Sequence, residues 1–249
     1  MPSVTNICLR KNNIDFTPVA IIGFGGAFIL NEEPKSIPEV QADGAASLGR
    51  LHCLTIIGQI EGHVELSGQT KTTKYEHILP LLTAVEESED IDGLLILLNT
   101  VGGDVEAGLA IAELISGMSK PTVSLVLGGG HSIGVPLAVS ARRSFIAPTA
   151  SMTLHPVRMS GTVMAIPQTM EYFRKIEERV IGFICSQSRI SPDTLRELMR
   201  KTDQLVGDVG SVVYGREAVD LGICDEVGSL KDALGCLRQM VKEAQDGQV

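Results

Sequence analysis

From Leu51 onward the chain alternates short apolar runs with longer stretches in which apolar residues return every three or four positions. Residues 52–60 read as a strand. Residues 62–73, with Val64 and Leu66 alternating before polar positions, read as a second strand or an extended loop. Tyr75, Ile78, Leu79, Leu82 and Val85 recur at helical spacing, and the acidic stretch 86–92 ends that pattern. The next strand, 93–99, is apolar on both faces and so belongs inside a sheet. A turn at Val101-Gly102-Gly103 follows. Asp104 can cap a helix carrying Leu109, Ala112, Leu114 and Ile115, which ends near Gly117 and is followed by a strand over 122–127.

Beyond a Gly-rich stretch, a core helix is expected from Ser132 to about Ala141, then two short strands over 144–147 and 151–154. Pro167 opens a long helix, with Met170, Phe173, Ile176, Val180 and Ile184 on its apolar face. A short helix over 192–200, an irregular segment to Tyr214, a helical turn over 216–221, a strand over 223–227 and a helix over 230–243 complete the pattern. Strands alternating with helices specify an α/β fold with much of the sheet buried. Residues 1–47 read differently. Lys11-Asn12-Asn13 and the Pro- and acid-containing stretch 31–44 leave only 19–30 as an apolar patch, so this part is expected to be a partly flexible arm on a domain spanning 48–249.

Composition narrows the function classes. The 249 residues are 44% hydrophobic with positive mean hydropathy, enough for a substantial core. A net charge of −9 and a pI near 5.1, with Lys and Arg scattered, argue against nucleic acid or an anionic membrane surface as partner. No run approaches the ~20 apolar residues of a membrane span, and the first twenty lack a basic-then-apolar leader, so a soluble cytoplasmic protein is expected. The five cysteines are odd in number, widely spaced and without C-x-x-C, which suggests neither a disulfide framework nor a zinc site. Gly23-Phe24-Gly25-Gly26 has Phe28 where a dinucleotide fingerprint needs a small residue, so it reads as an ordinary turn. There is no P-loop.

The chemistry concentrates at 125–136, Leu-Val-Leu-Gly-Gly-Gly-His-Ser-Ile-Gly-Val-Pro. Gly130-His131-Ser132-Ile133-Gly134 fits G-x-S-x-G, in which small residues let a strand turn sharply into a helix and present a hydroxyl at the bend. An α/β-hydrolase would need an acid and then a histidine after the serine. Here His155 is the sole downstream histidine and no Asp or Glu lies between. The order available is serine, histidine, acid, with Asp203 and Asp208 following His155, and a triad is defined by geometry rather than by order. His131, beside the serine, reads as a lining or packing residue. His52, His63 and His77 lie far upstream and receive no role.

With these pieces placed, residues from about 55 to 227 resemble the ClpP family of serine peptidases, and within it the TepA group. Leu98-Asn99-Thr100-Val101-Gly102-Gly103 stands where that family has an Asn-Ser-Pro-Gly-Gly run. Residues 130–134 match around the nucleophile, Met152-Thr153-Leu154-His155-Pro156 around the base, and 216–222 after the acid. The resemblance implies an α/β, ClpP/crotonase-like superhelix of β-β-α units with a protruding long helix. It also implies Ser132 as nucleophile, His155 as general base, and the backbone N–H groups of Gly103 and Ile133 as the oxyanion hole. No metal or organic cofactor is implied.

The acid does not align cleanly, because the segment between Thr202 and Tyr214 is longer than the family pattern. Asp208, in Gly207-Asp208-Val209-Gly210, is the expected acid and Asp203 its competitor. The activity implied is a serine endopeptidase in a homo-oligomer of stacked rings, acting on unfolded or extended peptide. Such a peptide would add as a strand beside the backbone after Gly103 and beside 158–163. The long arm stands where the family has a short segment forming axial loops, which leaves docking to a ring ATPase open. The rival readings are a crotonase-like acyl-CoA enzyme, a Ser-Lys peptidase of the signal-peptide-peptidase kind using Lys175 or Lys201, and a scaffold with the fold but weak turnover.

Overall fold

Leu94, Ile96 and Leu98 point one way from their strand and Leu95 and Leu97 the other, so both faces need cover, and the chain supplies a helical layer on each side. The structure, a computed structural model, describes residues 50–158, 165–203 and 209–247. Strand β1 (Leu51–Glu61) is followed by β2 (Thr72–Lys74), α1 (Tyr75–Glu87), β3 (Gly93–Gly103), α2 (Val105–Ser116) and β4 (Thr122–Gly130). Next come α3 (Gly134–Val139), β5 (Arg143–Ile146), β6 (Ser151–Leu154) and α4 (Ile166–Gln187). The remaining elements are α5 (Pro192–Arg200), β7 (Ser211–Tyr214), α6 (Gly215–Asp220), β8 (Glu226–Val227) and α7 (Leu230–Asp246).

The main sheet runs β2-β1-β3-β4-β5-β8, every adjacent pair parallel, and the mixed α/β fold is the one expected. One face, with Leu54, Ile56, Ile96, Leu98 and Val126, packs in a core with α1, α2 and α3. The other, with Leu95, Val123, Leu125 and Phe145, is covered by Ala233, Leu237 and Val241 of α7. Each fully buried Leu or Ile contributes about 1.5–3 kcal/mol relative to exposure, which makes this sheet a firm base for what its ends carry.

Those ends set the site. β4 runs on to Gly130, which still pairs with Thr100 of β3, and there β6 joins it through the bridge Gly129↔Ser151. β7 then pairs antiparallel with β6, Leu154 opposite Ser211. α2 starts at the end of β3, its first turn capped by Asp104, whose Oδ1 accepts from the Ala107 N–H at 2.8 Å. α5 is capped in the same way by Ser191.

The structure departs from the expectations in the polar stretches. Of the stretch 62–73, expected as a strand or an extended loop, only 72–73 are strand, at the start of β2, and Val64 is 75% exposed. β7 occupies part of a segment that reads as irregular, and β8 is shorter than the strand expected over 223–227. α4 buries Ile176, Val180, Ile181, Phe183 and Ile184 but leaves Met170 63% exposed, so its apolar stripe is covered along one half only. The expected arm, 1–47, lies outside the described residues, as do 159–163 of the expected substrate-pairing segment.

Candidate active site

β4 leaves the sheet through Gly128-Gly129-Gly130 and turns at Ser132, whose φ of 56° puts a non-glycine residue in the left-handed region. Such a conformation costs of order 1–3 kcal/mol and persists only where its surroundings hold it. Here they do. The His131 N–H donates to the Thr100 carbonyl (3.1 Å), the Ser132 N–H to the Thr153 carbonyl (2.9 Å), and the N–H groups of Gly134 and Val135 return to the carbonyls of His131 and Ser132. Two glycines make room. A Cβ at Gly102, itself at φ 90°, would lie 2.6 Å from the Ser132 Cβ, and one at Gly108 of α2 would lie 2.4 Å from the Ile133 side chain.

The strand opposite the serine is equally constrained. Thr100 is buried, its hydroxyl donates to the Gly58 carbonyl (2.7 Å), and the same oxygen accepts from the Gly102 N–H (3.0 Å). Gly103 follows at φ 151°, so close to β1 that a Cβ there would meet the Ile60 carbonyl oxygen at 2.2 Å. Ile133 caps α3, and among the described residues its N–H has no acceptor. An unpaired N–H at a helix start, beside the half-buried Ser132, is suited to receive a developing oxyanion.

β6 brings the base. Thr153, Leu154 and His155 line the same cavity as Gly103, Ser132 and Ile133. The His155 Nδ1 lies 2.7 Å from the Pro156 carbonyl oxygen. A carbonyl can only accept, so Nδ1 carries the proton and the Nε2 lone pair is left for a proton from a hydroxyl. No hydrogen bond joins the Ser132 hydroxyl to the ring here, and such bonds commonly tighten only when substrate is bound. Behind the two side chains the cavity, about 150 Å³, is walled by Val135, Leu154, Val180, Ile184, Leu195 and Met199.

The acids and lysines separate cleanly. Asp208 lies outside the described residues. Asp203 is exposed and lines no part of the cavity. Lys175 is exposed on α4 beside Glu171 (3.7 Å), and Lys201 does not line the cavity either. Among the described residues no group of three or more His, Cys, Asp or Glu could hold a metal, and no helix is long and apolar enough to cross a membrane.

Comparison with known proteins decides the family, since the Clp protease family model matches residues 49–231. The chain belongs to the Clp protease family. It is 53% identical over 210 residues to the translocation-enhancing protein TepA of Halalkalibacterium halodurans, covering 84% of this chain and 80% of that protein. It is 27% identical over 171 residues to an ATP-dependent Clp protease proteolytic subunit of Lactococcus lactis subsp. lactis, covering 66% of this chain and 81% of the relative. A subunit of the same name from Streptococcus agalactiae serotype V is 28% identical over 101 residues, 40% of this chain and 51% of that protein.

Within this family member the sequence reading missed the walls of the cavity. Val180 and Ile184 announce themselves only as an apolar helix face, and nothing local tells a residue facing a core from one facing a cavity. His131, expected as a lining or packing residue, places Nδ1 of its ring 2.8 Å from the Thr153 hydroxyl.

Proposed function

We propose that this Clp protease family member is a cytoplasmic serine endopeptidase acting on unfolded or extended polypeptide. The single observation that carries the reading is the cavity in which Ser132, strained at φ 56°, meets His155 held in the Nδ1–H tautomer. Nε2 of His155 takes the Ser132 hydroxyl proton as Oγ attacks the scissile carbonyl carbon. The Ile133 N–H, with that of Gly103, stabilises the oxyanion. The tetrahedral species collapses as His155 delivers the proton to the leaving amine, and water, activated by the same imidazole, hydrolyses the acyl-serine ester. The apolar walls favour a large apolar side chain next to the cleaved bond.

Asp208 is the acid of this scheme: with substrate engaged, its carboxylate replaces the Pro156 carbonyl as acceptor of the His155 Nδ1–H, holding the imidazole and stabilising its charged form. Supporting it is the register of β7 on β6: Ser211 stands opposite Leu154, the residue before His155, and Asp208 precedes Ser211 by three positions. Assembly into closed rings is part of the same proposal. The uncovered apolar residues on the first half of α4 supply the reason.

Hydrolysis of a fluorogenic peptide with leucine or methionine before the reporter tests the reading. Ser132→Ala is expected to lower turnover about 10⁶-fold without altering the fold. Equal hydrolysis by wild type and Ser132→Ala protein, purified side by side, would contradict it, as would a wild-type protein with no turnover at all.

A further inference from the structure

The histidine beside the nucleophile makes a contact that neither proton transfer nor oxyanion binding uses. His131 Nδ1 and the Thr153 hydroxyl are 2.8 Å apart, and both residues are half-buried. His131 is bonded directly to Ser132 in the chain. Thr153 is two positions before His155, on the same side of β6, and its carbonyl accepts from the Ser132 N–H at 2.9 Å. The side-chain bond therefore runs between the two strand ends that carry nucleophile and base, where the backbone supplies only the bridge Gly129↔Ser151 and the Ser132-to-Thr153 bond. Gly129 makes room for it. A Cβ at that position would sit 2.6 Å from the ring's Nε2, so the imidazole lies against bare backbone and can reach Thr153 only because no side chain intervenes.

We propose that His131 is a positioning residue: through Thr153 it fixes the distance and angle between Ser132 Oγ and the His155 ring. The inference rests on the serine-peptidase reading of the site. His131 itself touches no reacting atom in that reading, and its other nitrogen lies over Gly129. Burial pushes the His131 pKa down, so near neutral pH the link joins a neutral imidazole to a hydroxyl, whichever of the two carries the proton.

The test is the second-order rate at which a fluorophosphonate modifies Ser132 in the full chain. His131→Ala and Thr153→Val are each expected to slow it about 10²-fold, the loss that a displacement of about 1 Å brings. The double variant should be no slower than either single one, because both remove the same link. Asparagine places its amide where Nδ1 stands and glutamine places it nearer Nε2, so His131→Asn should recover most of the rate while His131→Gln should not. A merely structural role would not separate Asn from Gln, nor make two losses count once. Should His131→Ala fail to fold, Thr153→Val and the Asn and Gln variants make the same comparison. A labelled wild type with His131→Ala or Thr153→Val within twofold of it overturns the positioning role alone, as do losses that multiply in the double variant. A wild type that is not modified at Ser132 overturns the peptidase reading and this inference together.

Discussion

At the scale of single residues, the site depends on what is missing from its glycines as much as on what Ser132 and His155 present. Gly102 combines a φ of 90° with a β-carbon position 2.6 Å from the Ser132 Cβ and 2.8 Å from the His131 carbonyl, neither of which can give way without moving the elbow. Gly102→Ala is therefore expected to displace Ser132 and cut peptide turnover about 10²-fold or more, while far-ultraviolet circular dichroism stays that of wild type. Turnover within twofold of wild type would show that the elbow tolerates the methyl group. Ser132 and His155 stand out in the chain as candidates because a sharp strand-to-helix turn demands glycines around its serine, and because one histidine follows it. No acid stands out in the same way, because a carboxylate in a loop carries no periodicity and any Asp in a Gly-containing stretch looks alike.

At the scale of elements, the long strands and amphipathic helices were legible from apolar spacing, and Asp104 announced the start of α2 as a capping side chain should. β7 was not, since four residues show too little alternation and its place is decided by pairing with β6, remote in sequence. The stretch 62–71 takes the loop alternative, since Val64 is exposed and Leu66 only half-buried, too little cover to hold a strand. What anchors the end of that stretch is a pair the pattern does not reveal. Glu61, buried at the end of β1, meets the Lys74 ammonium at 3.1 Å where β2 joins α1. Burial pushes the Glu61 carboxyl up, but the Lys74 ammonium and the Thr72 hydroxyl outweigh it and hold the pKa below the ordinary glutamate value. The Lys74 pKa is raised, first by the same hydrogen bond.

The signs agree. Glu61 contributes stability above its unfolded pKa that is lost as pH falls through the depressed folded value. Lys74 contributes stability below its unfolded pKa that is lost as pH rises through the raised one. Denaturant unfolding against pH should therefore show wild type losing, on the acid side below the ordinary glutamate range, a stability increment that Glu61→Gln lacks. Parallel curves for the two proteins across that range would contradict this.

At the scale of the whole molecule, α4 carries the argument. Its second half is seated in the core, while Ile166, Met170 and Tyr172 in the first half are 69%, 63% and 54% exposed. Exposed apolar side chains on one half of a helix favour a self-complementary contact between copies, and closed symmetry is its usual outcome. Mass measurement at micromolar concentration is expected to give a closed multi-subunit assembly, and a fully active single chain would contradict it. The α/β class and the family were legible from sequence because Gly-rich turns at fixed separations carry the fold's signature, whereas the cavity is made by residues from β6, α3, α4 and α5 that meet only in the folded chain. The claim on which all else rests is that Ser132 is an activated nucleophile, and intact-protein and peptide mass spectrometry after fluorophosphonate treatment tests it most directly. One adduct per chain is expected, located on Ser132 and lost in both Ser132→Ala and His155→Ala. Native protein that takes up no adduct, or takes it up at another residue, would contradict it.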